Sequence, residues 1–182
     1  MLLVAADREE LGDLPGEIVG VGPVVAAASA GRIITQARPE KVVMIGTAGS
    51  YPDGPPIGAV VASRTLGLSW GVASLGLGYV PRAPEPLHAD PTLIERLGLP
   101  AHDVLTVGAI TTDLDLAARL AEGWSVEHLE AYAVAWTCAQ EAIPFIGVFG
   151  ITNHVGPEAH HQWLTNRDHA QRGTRDAVRT LL

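Results

Sequence analysis

The sequence predicts an α/β fold of three layers, in which helices cover both faces of a central, mostly parallel mixed sheet. Short apolar runs rich in Val and Ile alternate with segments whose apolar residues recur at helical spacing, which is the pattern of such a fold. The 182 residues contain no internal repeat and no long linker, so a single domain over residues 1–182 is expected. Charged residues make up 18% of the chain, below the usual ~25%, and this indicates a packed core rather than disorder.

Composition also excludes several classes of function. The formal net charge is −8, and such a surface repels phosphate backbones, which argues against nucleic-acid binding. The single cysteine, Cys138, excludes an internal disulfide and a Cys-rich zinc site. No apolar run reaches the ~18 residues of a membrane span, so no membrane partner is expected. We expect a protein of the reducing cytoplasm.

The first fifty residues predict three strands and one helix. Residues 2–6 are an apolar run that predicts a buried strand, followed by a turn or helix start at 7–10. Residues 17–22 predict a second strand that ends in glycines. Residues 23–37 predict a helix, because apolar residues recur there at helical spacing and Pro23 suits a first turn. Residues 42–45 are a β-branched run that ends in Gly-Thr-Ala-Gly-Ser at 46–50.

The chain beyond residue 50 continues the alternation of strands and helices. Strands are expected at 59–63, 103–108 and 144–150. Helices are expected at 91–97, 113–121, 127–142 and over about the last twenty residues. Residues 66–80 are Gly-rich and only moderately strand-like. Residues 81–91, with four prolines, and residues 151–158 are expected to be loops.

Polar or glycine-rich residues follow three of the predicted strands, at 7–10, 46–50 and 152–154. Ligands of α/β domains bind at the carboxyl ends of the strands, so these positions are candidates for a site. Each has a structural alternative. Glu10 suits the dipole of a helix start, the glycines of 46–50 serve either a ligand's close approach or a tight turn, and Asn153 suits loop backbone. No Lys follows the glycines, which excludes a P-loop.

Glu130 is a carboxylate among apolar neighbours. Ala133 and Val134, one turn further along the predicted helix, are apolar, so Glu130 projects from a face that should be packed. A buried carboxylate needs partners. Either it lies at a helix start and binds free N–H groups, or it accepts hydrogen bonds from a ligand.

The histidines and serines support neither a metal site nor a catalytic triad. His160 and His161 are adjacent and His154 lies six residues earlier, which is not the i, i+4 pairing of zinc-binding helices. Ser50 and Ser63 lack the nucleophile-elbow pattern. We therefore expect no metal and no cofactor.

Taken in chain order, the motifs resemble those of the nucleoside phosphorylase and nucleosidase superfamily. The matching positions are Glu10, Gly20-Val21-Gly22, residues 46–50, residues 57–61, residues 129–133, Pro144-Phe145 and Ile151-Thr152-Asn153. The likeness is closest to the futalosine hydrolase family, nucleosidases of menaquinone biosynthesis. Residues 150–156 with Trp163, and the threonine-rich stretch around 105–113, are similar to that family, whereas the adenine-specific branch carries Asp in place of Asn153.

The resemblance implies a set of site residues. Glu10 and Asn153 are implied as catalytic, and the implied substrate-binding residues are Thr47, Ala48, Gly49, Leu129, Glu130 and Asn153. Glu10 would deprotonate a water aimed at the anomeric carbon of a nucleoside. Glu130 has only acceptor oxygens, which match two ribose hydroxyls. The side-chain amide of Asn153 both donates and accepts, which suits a 6-oxopurine, whereas an adenine leaving group needs protonation at N7.

The implied activity is hydrolysis of a 6-oxopurine nucleoside by a homodimer or higher homo-oligomer. Residues 66–80 form either the interface between subunits or part of the core. A methylthioadenosine/S-adenosylhomocysteine nucleosidase and a purine nucleoside phosphorylase are the alternatives. Phosphate binding needs Arg or Lys, and Arg64 is the only candidate near the motifs, so hydrolysis is favoured over phosphorolysis. Two positions depart from the family pattern: Phe149 replaces an Arg, and His128 replaces an acidic residue. They leave open a nucleoside-binding relative without turnover.

Overall fold

The computed structural model describes residues 1–181, and Leu182, the last residue of the predicted domain, lies outside them. Over this range the chain forms eight strands, six α-helices and one short 3₁₀ helix. The strands are β1 (Leu2–Ala5), β2 (Glu17–Ile18), β3 (Val42–Ser50), β4 (Val60–Leu68), β5 (Leu87–His88), β6 (Ala101–Thr106), β7 (Val126–His128) and β8 (Phe145–His154). The helices are α1 (Arg8–Leu11), α2 (Pro23–Ala37), α3 (Pro91–Leu97), α4 (Leu114–Leu120), α5 (Ala131–Gln140) and α6 (Ala159–Val178).

All eight strands belong to one mixed sheet, as the sequence predicts. The order along the sheet is β2-β1-β3-β7-β6-β4-β5, and β8 pairs with both β3 and β4. The pairings of β1 with β3 and of β3 with β8 are parallel, whereas β4 and β8 are antiparallel. Because β8 joins β3 to β4, the strands β3, β7, β6, β4 and β8 form a closed circuit.

The core lies around β3 and β8, whose side chains are almost all buried. Each buried Val, Leu or Ile contributes about 1.5–3 kcal/mol relative to an exposed one. Helix α6 packs on β8, and α2 packs against α5. A Cβ at Gly150 would lie 2.7 Å from the carbonyl oxygen of Ala170, so this glycine allows the close approach of α6 to β8. None of the helices within residues 1–181 has both the length and the apolar character needed to cross a bilayer.

The helix predicted at 127–142 is wrong at its start. Residues 126–128 form β7, which pairs antiparallel with β3 and parallel with β6, and α5 begins only at Ala131. The three residues are held by strands distant in sequence, and the apolar spacing of one segment does not show such partners. The predictions for α2 and α3 are confirmed to the residue.

The loop predicted at 151–158 is wrong over 151–154 and confirmed over 155–158, and the turn considered at 46–50 is wrong. Strand β8 continues to His154 and β3 continues to Ser50, because the two segments pair with each other over their whole length. The register shifts between Ala48 and Gly49, which places Gly49 opposite Asn153. Further along the chain, β4 extends to Leu68, a short 3₁₀ helix covers Gly71–Ala73, and β5 lies within the loop predicted at 81–91.

Candidate active site

A cavity of about 520 Å³ lies at the carboxyl ends of the parallel strands β1, β3 and β8. All of the site residues implied by the sequence line it: Glu10, Thr47, Ala48, Gly49, Leu129, Glu130 and Asn153. Two carboxylates and an amide that are far apart in sequence therefore share one hollow. Other residues also line the cavity that no sequence motif indicates, among them Glu127, His160 and Arg167.

Glu10 lies in the single turn of α1, which Asp7 begins by accepting a hydrogen bond from the Glu9 N–H. The Glu10 side chain is buried and accepts two backbone hydrogen bonds, from Ala6 N to Oε2 at 3.1 Å and from Thr47 N to Oε1 at 3.0 Å. Burial raises the pKa of Glu10 to about 7, although the Thr47 hydrogen bond opposes the shift. A carboxylate with this pKa is suited to accept a proton at neutral pH.

Glu130 occupies the residue before α5, but its side chain makes no capping bond to that helix. Its Oε1 instead accepts the N–H of Gly22 at 2.8 Å, at the start of α2. Gly22 has a φ of 89°, a conformation that favours glycine. Burial raises the pKa of Glu130 to about 7. Glu130 does lie at a helix start, as one of the two alternatives from the sequence has it. Its backbone partner, however, belongs to a different helix, and its side chain lines the cavity, where a ligand can reach it.

The side chain of His128, rather than that of Glu130, caps the N-terminus of α5. Its Nδ1 accepts the N–H groups of Glu130 at 3.0 Å and Ala131 at 3.1 Å, so the proton of the neutral ring is on Nε2. Burial lowers the pKa of His128 to about 3. The approach of Glu130 Oε2 to Nδ1, at 3.2 Å, is therefore not an ion pair.

The two positions that depart from the family pattern contact each other. The rings of His128 and Phe149 lie with their centroids 4.3 Å apart, tilted by 39°. Both side chains are buried. His128 and Phe149, the two departures from the family pattern, thus form one uncharged aromatic contact beside Glu130.

The glycines of β3 leave room for the side chains of the site. A Cβ at Gly46 would lie 3.1 Å from Glu10 Oε1 and 3.2 Å from His128 Nε2. A Cβ at Gly49 would lie 3.0 Å from Asn153 Nδ2. Neither glycine makes a turn. Because they have no Cβ, polar side chains of the site can pack directly against the strand.

Asn153 is buried near the end of β8. Its Oδ1 accepts the hydroxyl of Thr152 at 2.8 Å, and its Nδ2 donates to the carbonyl of His154 at 3.1 Å. An amide has two N–H donors and two acceptor lone pairs, so one of each remains after these bonds. The residue can therefore offer a donor and an acceptor to a ligand at once.

Thr47 links Glu10 to helix α6. Its hydroxyl lies 3.4 Å from Glu10 Oε1 and accepts the indole N–H of Trp163 at 3.2 Å. Arg167, one turn further along α6, lies over the Trp163 ring. A pair at i and i+4 on a helix shares one face, and this spacing is the sequence signal that would have found Arg167.

Glu127 is a third buried carboxylate in the cavity wall. Its Oε2 accepts the hydroxyl of Tyr51 at 2.8 Å, and its Oε1 accepts the N–H of Thr111 at 3.0 Å. Burial and the Glu127 carboxylate raise the pKa of Tyr51 well above its usual range. Both oxygens of Glu127 thus accept hydrogen bonds from the protein itself, and they connect the segments that contain Tyr51 and Thr111.

The phosphate candidate named from the sequence lies elsewhere. Arg64, on β4, makes a bidentate pair with Asp103, and it is absent from the described lining of the cavity. Within residues 1–181, no cluster of three or more His, Cys, Asp and Glu side chains is placed to hold a metal ion.

Comparison with known proteins places the chain in a family. Residues 15–182 match the family described as the phosphorylase superfamily. The chain is 30% identical to futalosine hydrolase of Thermus thermophilus over 178 residues, which cover 90% of this chain and 78% of that protein. It is 29% identical over 157 residues to a 5′-methylthioadenosine/S-adenosylhomocysteine nucleosidase of Marinomonas, covering 77% of this chain and 68% of that protein.

Solved structures show the same fold. A futalosine hydrolase mutant of Helicobacter pylori superposes with a TM-score of 0.88 at 15% identity, covering 98% of this chain and 96% of that one. The 5′-methylthioadenosine/S-adenosylhomocysteine nucleosidase of Neisseria meningitidis in complex with methylthio-immucillin-A gives a TM-score of 0.84 at 20% identity, covering 99% and 96%. From the match over residues 15–182 and the Thermus relative, the chain belongs to the phosphorylase superfamily, in the family of futalosine hydrolase and the methylthioadenosine/S-adenosylhomocysteine nucleosidases.

Proposed function

We propose that this protein is a nucleosidase that hydrolyses the N-ribosyl bond of a 6-oxopurine nucleoside, as futalosine hydrolase does for its substrate. The observation that carries the proposal is the shared cavity, in which Glu10, Glu130 and Asn153 face one space. The cavity volume of about 520 Å³ is within the ~300–1,000 Å³ range of small-molecule sites.

In the proposed reaction, Glu10 is the general base. It holds a water against the anomeric carbon and takes one proton as the new C–O bond forms. The N-ribosyl bond breaks at the same time, and its electron pair leaves with the purine, the nucleobase of the substrate. General base catalysis of this kind contributes about 10²–10⁴-fold, and it works best when the pKa of the base is near the working pH. The raised pKa of Glu10, about 7, meets that condition.

Glu130 is proposed to bind the sugar. Its ionised carboxylate has about four acceptor sites, and the backbone N–H of Gly22 uses one of them. Two ribose hydroxyls can occupy others, and hydrogen bonds to a charged group are worth about 1.5–3 kcal/mol each. Substrate hydroxyls would supply the partners that a buried carboxylate needs.

Asn153 is proposed to recognise the base. Its free N–H and free lone pair match the N7 or O6 acceptor and the N1–H donor of a 6-oxopurine. Donation to a base that leaves with negative charge stabilises the transition state by about 2.7–4 kcal/mol, by analogy with an oxyanion-hole donor. The amide has no acidic proton to give to N7, which favours a 6-oxopurine over adenine.

Hydrolysis rather than phosphorolysis is supported by the scarcity of cations at the cavity. Arg64 pairs with Asp103 instead of lining it, and Arg167 is the one Lys or Arg among its described lining residues. The direct test incubates the protein with futalosine, inosine and methylthioadenosine, with and without phosphate, and identifies the free base. We expect hypoxanthine without phosphate. Adenine release from methylthioadenosine would favour the related nucleosidase, and hypoxanthine release from inosine only with phosphate would favour a phosphorylase. Ligand binding without release of any base would identify a binding protein.

Asn153→Asp is expected to change the base preference. An Asp supplies a proton to N7 of adenine, whereas it lacks the N–H that Asn153 offers to a 6-oxopurine. We expect the ratio of kcat/KM for methylthioadenosine over that for inosine to rise about 10²-fold, from the magnitude of one lost donor. Asn153→Ala is the control, since it removes the donor without adding a proton. An unchanged ratio in Asn153→Asp would show that Asn153 does not recognise the nucleobase.

We infer that the protein forms a homodimer through residues 66–80. Four large apolar side chains of this segment are exposed: Trp70 by 38%, Val72 by 62%, Leu77 by 75% and Tyr79 by 84%. Contiguous exposed apolar groups are typical of interaction surfaces. Sedimentation of the intact protein is expected to give twice the monomer mass, and the double change Leu77→Lys, Tyr79→Lys is expected to give monomers. A monomeric wild-type protein would contradict this inference. A cytoplasmic location and a role in menaquinone biosynthesis stay predictions.

A further inference from the structure

His128 has one ring nitrogen whose proton meets no acceptor within residues 1–181. Its Nδ1 accepts the N–H groups of Glu130 and Ala131, so the proton of the neutral ring lies on Nε2. The side chain is 3% exposed and lines the cavity. Among the described residues, every fully enclosed side-chain nitrogen or oxygen has a hydrogen-bond partner. The Nε2–H therefore faces the cavity, and its partner must come from water or a ligand.

Nε2 of His128 and Oε1 of Glu10 lie close to the same position on β3, Gly46. A Cβ at Gly46 would lie 3.2 Å from the first atom and 3.1 Å from the second, so both are about one hydrogen-bond length from one point. In the part of the chain that the structure describes, the two atoms form no direct hydrogen bond or ion pair with each other. A single water can join two polar groups placed in this way, because it donates to the carboxylate and accepts from the N–H.

Packing fixes the direction of this N–H. Phe149 lies opposite Gly46 on the adjacent strand, and the centroid of its ring is 4.3 Å from that of the His128 ring. Gly147 leaves the room that the Phe149 ring needs. On its other edge, the imidazole is tied to the start of α5 by the two hydrogen bonds to Nδ1. The Nε2–H is therefore oriented before a substrate binds, so no reorganisation of the donor is needed during a reaction.

This donor is also uncharged. Burial lowers the pKa of His128 to about 3, so the ring carries a single proton, on Nε2, at neutral pH. A cation at this position would lower the pKa of Glu10 by attraction, whereas a neutral N–H leaves it at about 7. His128 can therefore bind a water beside Glu10 and leave Glu10 able to accept a proton.

The imidazole of His128 extends from the proposed general base to the proposed sugar site. Nδ1 lies 3.2 Å from Glu130 Oε2, and Nε2 lies on the side of Glu10. A water between Nε2 and Glu10 is thus next to a sugar that Glu130 holds. Water has two hydrogens and two lone pairs. When one hydrogen is bonded to Glu10 and one lone pair to the Nε2–H, the second lone pair is left for the anomeric carbon.

We propose that His128 is a catalytic residue that binds the attacking water through Nε2–H and, with Glu10, directs it at the anomeric carbon. This inference rests on the proposed function, since it concerns the water of that reaction. The second lone pair of the water forms the C–O bond, Glu10 takes one proton, and the electron pair of the N-ribosyl bond leaves with the purine. His128 keeps its proton throughout, so its contribution is the orientation of the water.

Two substitutions of His128 separate the donor from the helix cap. In His128→Asn, the side-chain oxygen can accept the N–H groups two and three residues further on, but the shorter side chain does not reach the position of Nε2. In His128→Gln, an N–H reaches that position, whereas the acceptor for α5 is lost. We expect kcat to fall about 10²-fold in His128→Asn, the effect of misplacing a reacting group, with a urea midpoint near that of the wild type. His128→Gln should retain most of its kcat and unfold at a lower urea concentration.

A purely structural role of His128 predicts the opposite order. Loss of the cap would then lower kcat in His128→Gln and leave it intact in His128→Asn, and this result overturns the proposal. His169→Asn, at an exposed histidine outside the described cavity lining, is the matched control and should keep the wild-type kcat. The fall in His128→Asn should be equal for inosine and 2′-deoxyinosine. A fall confined to inosine would assign the Nε2–H to the 2′-hydroxyl and would also overturn the proposal.

A crystal structure of the wild-type protein separates this inference from the proposed hydrolysis. We expect an ordered water at hydrogen-bond distance from both Glu10 Oε1 and His128 Nε2, and its loss in His128→Asn. If that water is present and no nucleoside releases its base, the water site stands and the proposed hydrolysis fails. If hydrolysis occurs and the wild type holds no such water, the role of His128 is overturned and the hydrolysis stands. The same structure decides the question where a variant does not fold.

Discussion

Glu10→Gln is expected to lower kcat for nucleoside hydrolysis by about 10²–10⁴-fold, the usual contribution of a general base. An amide cannot take the proton from the attacking water. The change is nearly isosteric, so the cavity keeps its shape and substrate affinity should change little. Initial rates of base release and calorimetric binding of the same nucleoside measure the two effects separately.

The matched control is Glu17→Gln, an exposed carboxylate on β2 that is distant from the cavity lining. It should leave kcat unchanged. If Glu10→Gln retains more than half of the wild-type kcat, Glu10 is not the base, and the proposed reaction needs another proton acceptor.

The raised pKa of Glu10 also predicts how activity and stability depend on pH. Activity should rise as pH increases through about 7, because the base must be ionised. The stability of the fold should instead decrease as the pH rises. The folded protein keeps a proton that the unfolded chain releases above pH 4.5, so the free energy of unfolding falls between pH 4.5 and about 7. For a pKa raised from 4.5 to about 7, the fall is on the order of 3 kcal/mol.

Urea unfolding at pH 5 and pH 8 tests this in Glu10→Gln. The variant should lose less stability than the wild type over that range, because residue 10 no longer titrates. At pH 5 it should be less stable by about 1–3 kcal/mol, since Gln has one oxygen for the two backbone N–H groups of Ala6 and Thr47. An equal pH-dependent loss in both proteins would show that Glu10 titrates normally.

Glu130→Gln is expected to lower kcat/KM by about 10²-fold. The amide is uncharged and has one acceptor oxygen, one lone pair of which the Gly22 N–H uses, so the two charge-assisted bonds to the ribose hydroxyls are lost. Two such bonds at about 1.5 kcal/mol each correspond to a loss of this size. The comparison of inosine with 2′-deoxyinosine measures it directly, because the variant should discriminate less between them.

The same variant should move the pH profile. The Glu130 carboxylate repels that of Glu10 and so raises the pKa of Glu10. Removing the charge should shift the rising limb of activity to lower pH. Glu141→Gln, at the other end of α5 and exposed, is the control for both effects. Kinetics and a pH midpoint equal to those of the wild type would contradict the assignment of Glu130 to the sugar.

Local patterns were sufficient where the determining interactions are local. Helix α2 follows from apolar spacing and Pro23, and α3 from the same kind of signal together with its proline. The rule that ligands bind at strand ends pointed to Glu10 and Asn153, which do meet in one cavity. These features depend on residues a few positions apart or on the general geometry of parallel sheets.

Other features depend on partners distant in sequence. Strand β7 exists because it pairs with β3 and β6, and Glu127 is held by Tyr51 and Thr111. The face of α6 that carries Arg167 has few apolar residues, so its packing against the cavity gave no strong periodic signal. Burial likewise sets the pKa values of both carboxylates, and burial follows from the assembled fold.

The contact between His128 and Phe149 constrains how this site can change over evolutionary time. Both rings are buried, with centroids 4.3 Å apart. Introducing Arg at 149 alone would bury a cation against a neutral ring, and introducing an acid at 128 alone would put a further negative charge beside Glu130; a buried charge without a partner is strongly destabilising. Either single change is therefore expected to destabilise the fold, so the two positions are expected to change jointly or not at all.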